Sequence, residues 1–107
     1  MDKTRRDFML VKVACIEKLI SEYTIWESEK TPHGKFKIKI YRSSTGIYSG
    51  YTNLRLSDGN GDFCGGCGTG KTEEAALEDT LNNFFEMLSE KDVLKEGDFQ
   101  YSDPYDF

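Results

Sequence analysis

Residues 35–40 alternate strictly between a lysine and an apolar side chain. Successive side chains of a β-strand point to opposite faces, so Phe36, Ile38 and Ile40 are expected on a buried face and the lysines on an exposed face. The next apolar segment, residues 47–56, follows after the short polar turn RSSTG. Strands joined by tight turns run antiparallel. This pair therefore predicts an antiparallel sheet with one apolar face.

Two further segments extend the predicted sheet. Residues 23–29 are predicted as a strand that precedes the lysine-rich one. Residues 63–68, FCGGCG, are predicted as a short glycine-rich strand or as its exit loop, because the turn signal SDGNGD comes directly before them. The sheet is therefore expected to contain three to four strands.

Two segments have helical periodicity. Residues 7–23 carry apolar side chains at steps of three and four, including Ile16, Ile20 and Tyr23. Residues 73–90 follow Thr72, whose hydroxyl can cap a helix. The predicted buried stripe of this second helix consists of Leu77, Leu81, Phe84, Phe85 and Leu88. The predicted class is α+β, with both helices packed on one face of the sheet in the order α-β-β-β-(β)-α.

The 107 residues are enough for one domain with a modest core. We expect residues 1–95 to form this domain and residues 96–107, EGDFQYSDPYDF, to form an acidic, aromatic tail. No apolar run approaches the roughly 20 residues of a membrane span. Charged residues interrupt the apolar N-terminal segment, unlike a signal peptide. An odd number of cysteines, three, does not suit a secreted disulfide framework. These features predict a cytoplasmic protein.

Residues 65–72 fit the phosphate-loop pattern G-x-x-x-x-G-K-[ST]. A working loop of this kind joins a parallel strand to a helix in an alternating βαβ fold. Only 35 residues follow Thr72, and they are predicted to contain one helix and the tail. A parallel sheet cannot be built from them. We therefore predict that the pattern is a decoy, that Lys71 does not bind nucleotide, and that the protein is not an enzyme and has no cofactor.

Cys64 and Cys67 form a C-x-x-C pair. A zinc site would need further ligands, and the sequence offers Cys15 and His33. Structural zinc sites usually combine two such pairs, and a second pair is absent from the sequence. We predict no metal site, although the sequence leaves open whether the pair binds metal with Cys15 or His33.

Charge is distributed unequally along the chain. Residues 1–71 contain 12 Lys and Arg against 8 Asp and Glu, whereas residues 72–107 contain 2 against 11. Such polarity suits oriented binding. The leading hypothesis is a small non-catalytic protein whose acidic helix and tail imitate a phosphate backbone and bind another protein with a basic nucleic-acid-binding groove. The residues predicted to make this contact are Glu73, Glu74, Glu78, Asp79, Glu86, Asp98, Asp103 and Asp106.

The alternative hypothesis is a nucleic-acid-binding domain. Alternation along the predicted strands places aromatic and basic side chains together on the exposed face of the sheet. Aromatic rings among cations suit the stacking of single-stranded bases. Exposed lysines also protect a sheet from aggregation, so a purely structural role remains open. The residues of this predicted surface are Trp26, Lys35, Lys37, Lys39, Tyr51 and Arg55.

The element order and the segment GTGKTEEAALEDTLNNFFEML, residues 68–88, resemble two families of small domains. One is the double-stranded-RNA-binding domain, whose last strand passes through G-x-G and a Ser/Thr-Lys-Lys cluster into an alanine-rich helix. The segment TPHGKFKIKI also resembles a turn and strand of that family. The other is the HicB antitoxin family, with its Gly-x-Thr-x-Glu-Glu-Ala-Leu pattern. The two resemblances cover about residues 23–88 and imply the same small α+β fold.

Both families imply functions that this sequence modifies. Glu73 and Glu74 stand where the RNA-binding family has phosphate-binding lysines, so the resemblance implies that duplex-RNA binding by this route is lost. A HicB antitoxin has a DNA-binding segment after the helix, whereas residues 91–107 are acidic here. By size, charge and lack of an active site, the chain also resembles small acidic phage and mobile-element proteins, including anti-CRISPR inhibitors.

Overall fold

The computed structural model describes residues 16–91, 93–104 and 107. Within these residues, a five-stranded antiparallel sheet is covered on one face by a single α-helix. The elements are β1 (Glu17–Trp26), β2 (Lys35–Ser43), β3 (Tyr48–Ser57), β4 (Phe63–Gly70), α1 (Glu73–Ser89) and β5 (Phe99–Tyr101), with short 3₁₀ turns at Pro32–Gly34 and Glu96–Asp98. The α+β class and the antiparallel sheet are confirmed.

The prediction of two helices is wrong for the described residues. Residues 17–23 of the predicted first helix lie in β1, and residues 7–15 lie outside the described residues. β1 has a register shift between Leu19 and Ser21. This bulge adds one residue to the strand, which disrupts the two-residue alternation by which a strand is recognised in a sequence. After the bulge, Tyr23 and Ile25 lie half-buried on the helix-covered face of the sheet.

The long strand β3 joins two parts of the sheet. The strand order is β1-β2-β3-β4, and β5 also pairs with β3. Residues 48–52 of β3 pair with β2, and residues 54–56 pair with β5. Phe99 and Tyr101 of β5 pack against the core. Part of the segment predicted as a tail therefore belongs to the sheet.

Glycines of β4 allow α1 to lie unusually close to the sheet. Gly66, Gly68 and Gly70 alternate along β4 and face the helix. A Cβ atom built on Gly68 would lie 2.4 Å from the backbone nitrogen of Thr80. One built on Gly70 would lie 2.7 Å from the backbone nitrogen of Ala76. These distances are too short for any side chain, so the helix backbone rests almost directly on the strand.

This close approach determines which helix residues are buried. The predicted stripe is right for Phe84 and Leu88, but Leu77, Leu81 and Phe85 are only half-buried. Small residues of the helix face Gly68 and Gly70, where a large side chain would push the helix away from β4, whereas Phe84 packs over Gly66. The buried side chains of α1 recur at steps of four residues: Ala76, Thr80, Phe84 and Leu88.

The residues of the phosphate-loop pattern are extended. Residues 65–70 lie in β4, which runs antiparallel to β3. Thr72 is the N-cap of α1, and its hydroxyl accepts a hydrogen bond from the N–H of Ala75 at 3.1 Å. Within the described structure, the alternate glycines of the pattern provide room for the helix, and its threonine begins the helix.

Replacing Gly68 by alanine is expected to destabilise the protein. The added methyl group would collide with the backbone of α1, and overpacking of this kind costs about 1–3 kcal/mol of unfolding free energy. Gly97→Ala is the matched control, since a Cβ atom at Gly97 meets nothing within 4 Å. Urea unfolding of both variants measures the difference. Equal stability of the two variants would contradict the close helix–strand contact.

Candidate nucleic-acid interface on the open sheet face

The face of the sheet opposite α1 carries the basic and aromatic side chains that the sequence predicts there. In β2, Phe36, Ile38 and Ile40 are buried on the helix side, and Phe36 packs against Phe84 with ring centroids 5.1 Å apart. The lysines between them therefore lie on the opposite side, which we call the open face. The strand register places all six predicted residues on this face: Trp26, Lys35, Lys37, Lys39, Tyr51 and Arg55.

Trp26 is the most prominent aromatic group of the open face. It lies at the end of β1, is 74% exposed, and pairs across the strands with Lys35. The ammonium group of Lys35 lies 5.1 Å from the centre of the indole ring, within the range of a cation–π contact. A ring of this size exposed beside a cation offers a stacking surface for a planar ligand.

The side chain of Lys37 has a weak ionic partner among the described residues. Its ammonium nitrogen lies 3.4 Å from a carboxylate oxygen of Glu22, and both side chains are about half exposed. Ion pairs this exposed contribute about 0–1 kcal/mol, so a ligand anion can replace the carboxylate at small cost.

A second aromatic group surrounds Lys39. Tyr51 is 42% exposed and pairs with Lys39 across the strands. The rings of Tyr41 and Tyr51 meet edge to face at 6.0 Å. Phe107 adds a third ring, since the ammonium group of Lys39 lies 4.6 Å from its centre. Sequence reasoning missed both Tyr41 and Phe107. Continuing the alternation of β2 by one step identifies Tyr41, whereas no signal in the sequence identifies Phe107.

Arg55 is held more firmly than the lysines. One of its terminal nitrogens donates to the side-chain oxygen of Gln100 at 2.9 Å. Its Nε is buried and meets no acceptor among the described residues. Because Gln100 lies in β5, this contact ties the last strand to the open face, and Arg55 is less available to a ligand than the lysines.

The acidic residues predicted as a partner-binding surface do not share one role. Glu73 accepts hydrogen bonds from the hydroxyls of Ser21, at 2.7 Å, and Tyr23. Asp98 accepts the N–H of Lys95 at 2.9 Å and so closes the 3₁₀ turn before β5. Both carboxylates thus stabilise the fold itself.

Asp79 is exposed on the helix but is also bonded within the protein. Its carboxylate accepts the N–H of Thr69 at 2.9 Å, and one turn later Asn83 accepts the N–H of Cys67 at 3.0 Å. Thr69 and Cys67 belong to β4, whose other side pairs with β3. The helix thus covers the outer edge of this strand with two side chains, a protection that edge strands need.

The remaining acidic residues form a smaller group. Glu74, Glu78 and Glu86 are exposed on α1. Asp103 makes contacts within the protein, and Asp106 lies outside the described residues. With Asp79, which is also exposed, the exposed acidic surface of the helix consists of four of the eight predicted residues.

Among the described residues, two carboxylates have a shifted pKa. The hydroxyl of Tyr23, and then that of Ser21, lower the pKa of Glu73 below its usual value. For Glu27, burial raises the pKa, but hydrogen bonds from the N–H groups of Lys30, Glu29 and Thr31 outweigh burial, so that the pKa is lowered overall. Glu73 therefore joins α1 to β1, and Glu27 holds the loop that follows β1.

The two described cysteines do not form a joint site. Cys64 and Cys67 are free, exposed thiols. They lie three residues apart in β4, so their side chains point to opposite faces of the sheet. Among residues 16–91, 93–104 and 107, no group of three or more His, Cys, Asp or Glu side chains is arranged to hold a metal ion. Cys15 lies outside the described residues.

Comparison with protein-family models, with curated proteins and with solved structures gave no match. The resemblances to double-stranded-RNA-binding domains, HicB antitoxins and anti-CRISPR inhibitors therefore stay predictions. In the part of the chain that the structure describes, no helix is both long and apolar enough to cross a membrane.

Acid should weaken the fold partly through Glu73. A carboxylate whose pKa is lowered by folding adds stability above its unfolded pKa, about 4.3, and loses that contribution as the pH falls through the folded pKa. We expect the free energy of unfolding to fall between about pH 5 and pH 3. The free energy of unfolding should fall less over this pH range in Glu73→Gln. The decrease that remains in this variant includes the contribution of Glu27. Urea unfolding across this range measures both, and identical pH profiles would contradict a stabilising role for the Glu73 carboxylate.

Proposed function

We propose that this protein is a non-catalytic binding module whose open face holds a single-stranded nucleic acid. The observation that carries this proposal is the exposed Trp26 beside Lys35, on the same face as Lys37, Lys39 and Tyr51. Exposed rings stack bases, and the lysines can neutralise the phosphates between them. A single strand fits better than a duplex, because its unstacked bases can reach rings that lie on a sheet.

Charge density favours the open face over the acidic helix. Glu74 and Glu86 are twelve residues apart, which corresponds to about 18 Å of helix. Together with Glu78 and Asp79 they present four exposed carboxylates over this length, or one per roughly 4.5–6 Å. Duplex DNA presents one phosphate per about 1.7 Å of its axis. The acidic helix is therefore a sparse imitation of a phosphate backbone.

The acidic helix supports a second candidate function. Exposed glutamates on one helix suit a basic protein surface, and complementary charge sets the rate and register of such an encounter. In this case the protein is an inhibitor of the anti-CRISPR type that occupies a nucleic-acid-binding groove. We place either function in the cytoplasm, where the free thiols of Cys64 and Cys67 would stay reduced.

The first proposal can be tested with the intrinsic fluorescence of Trp26, the only tryptophan of the chain. A single-stranded 12-mer should quench this fluorescence as a base stacks on the indole ring. The logarithm of the affinity should fall with the logarithm of the salt concentration, with a slope of about −2 if the three lysines contact phosphates. Lys37→Glu should lower the affinity by about tenfold, because it repels the phosphates that the lysine attracts.

Glu78→Lys serves as the control for this experiment. This substitution changes the charge by as much as Lys37→Glu does, but with the opposite sign. It lies on α1, away from the open face. Its affinity for the 12-mer should stay within about twofold of the unmutated protein, because exposed charges more than a Debye length apart are largely screened. Loss of binding in Glu78→Lys with unchanged binding in Lys37→Glu would reject the open face as the nucleic-acid site.

The second candidate predicts the reverse pattern. A basic partner captured from the native host should be lost when Glu78 and Glu86 are both changed to lysine, and retained in Lys37→Glu. Mass spectrometry of the captured proteins at about 50 and 500 mM salt measures this, since the Debye length shortens from roughly 14 to 4 Å. A partner that is retained by the double variant does not bind through the acidic helix.

A further inference from the structure

A cavity of about 300 Å³ opens where β2 begins and β5 ends. β3 pairs with β2 as far as Thr52 and with β5 from Leu54 onward. Asn53 lies between the two ladders, and its side-chain oxygen accepts the N–H of Lys37 at 2.8 Å. Its own backbone carbonyl accepts the N–H of Ser102 at 2.7 Å. The cavity is therefore a consequence of two strands sharing one side of β3.

Two aromatic residues, His33 and Tyr101, border this cavity, and their rings stack with centroids 5.9 Å apart. Phe36 also borders it, although its side chain is buried on the helix side of the sheet. The hydroxyl of Tyr101 donates to the carbonyls of Pro32 and Lys35, at 3.0 and 2.9 Å. These bonds hold the ring in place. His33 has a φ of 62°, a strained conformation for a residue with a side chain, and it is maintained at the mouth of a cavity, where such strain is often functional.

Polar groups of the cavity are suited to a base with an attached phosphate. Because the oxygen of Asn53 is already bonded to Lys37, its amide nitrogen is the group left to donate, and it has no acceptor among the described residues. Lys35 and Lys37 also line the cavity. Among the described residues, the ammonium group of Lys35 contacts the Trp26 ring and that of Lys37 an exposed carboxylate, contacts that a phosphate can replace.

We propose that this cavity receives one nucleobase of the bound strand, with Asn53 donating to a carbonyl oxygen of the base and Lys35 and Lys37 holding the adjacent phosphate. This inference rests on the proposed binding of single-stranded nucleic acid. The volume is at the lower end of the range for small-ligand sites, which suits a single base. Trp26 neighbours Lys35 across the strands, so the next base of the strand can stack there. With this cavity, the open face has a fixed position for one base in addition to its general stacking surface.

Uridine and uridine 5′-monophosphate are suitable probes. Their binding can be measured by titrating each into the ¹⁵N-labelled protein and recording two-dimensional NMR spectra. Both should shift the side-chain amide of Asn53 and the backbone signals of His33 and Tyr101, and the monophosphate should bind more tightly. Asn53→Asp keeps the acceptor for the N–H of Lys37 and removes the donor. It should weaken binding of neutral uridine about fivefold or more. Lys37→Gln should weaken binding of the monophosphate and leave binding of uridine unchanged.

The thermal midpoint of each variant checks that the fold is intact. If the 12-mer and uridine bind the Asn53→Asp variant as tightly as the unmutated protein, the cavity is not a base site, while the proposed function stands. Uridine shifts confined to residues away from the cavity would have the same meaning. If neither the 12-mer nor the two probes bind the unmutated protein, both the inference and the proposed function are overturned.

Discussion

The near-contact between the backbone of α1 and that of β4 determines the arrangement of the other elements. Side chains normally separate a helix from a sheet, but the alternate glycines of β4 remove that spacing. The helix is thereby fixed above β4 and β3, where Thr80 fits against Gly50 and Phe84 against Gly66. Phe84 then reaches Phe36 on β2. This helix provides the apolar cover on its side, and no helix among residues 16–91, 93–104 and 107 covers the opposite face, which carries charged and aromatic groups.

The open face also depends on how β3 is shared. β3 has ten residues, and on one of its edges neither β2 nor β5 pairs along its whole length. β2 pairs with the first half of this edge and β5 with the second half. The junction is closed by the side chain of Asn53 and by the hydroxyl of Tyr101. Thr52 supports it from the buried side, since its hydroxyl donates to the carbonyl of Leu54 and accepts the N–H of Gly66. The cavity is therefore bounded by hydrogen-bonded groups.

The sequence predicts those parts of the structure that follow from strict periodicity. Alternation in β2 and β3 identifies Phe36 as buried and Lys37 as exposed, and both predictions are confirmed. Periodicity fails in β1, because a bulge makes the strand resemble a helix. It places Asp79 correctly on the exposed side of the helix but misses its bond to β4, because an exposed carboxylate gives no sign that a strand edge lies within reach. The contribution of β5 depends on residues far apart in sequence, such as Arg55 and Gln100, which no local pattern connects.

The two side chains that cover β4 also limit how this protein can assemble. Sheets of neighbouring molecules commonly merge when the last strand of one pairs with the last strand of another. Before a strand of another molecule could pair with β4, it would have to displace Asp79 from the N–H of Thr69 and Asn83 from the N–H of Cys67. One of these side chains carries a negative charge, so the backbone carbonyls of an incoming strand would meet electrostatic repulsion as well as a filled position. These two side chains therefore oppose fibril growth and strand exchange at the edge of β4.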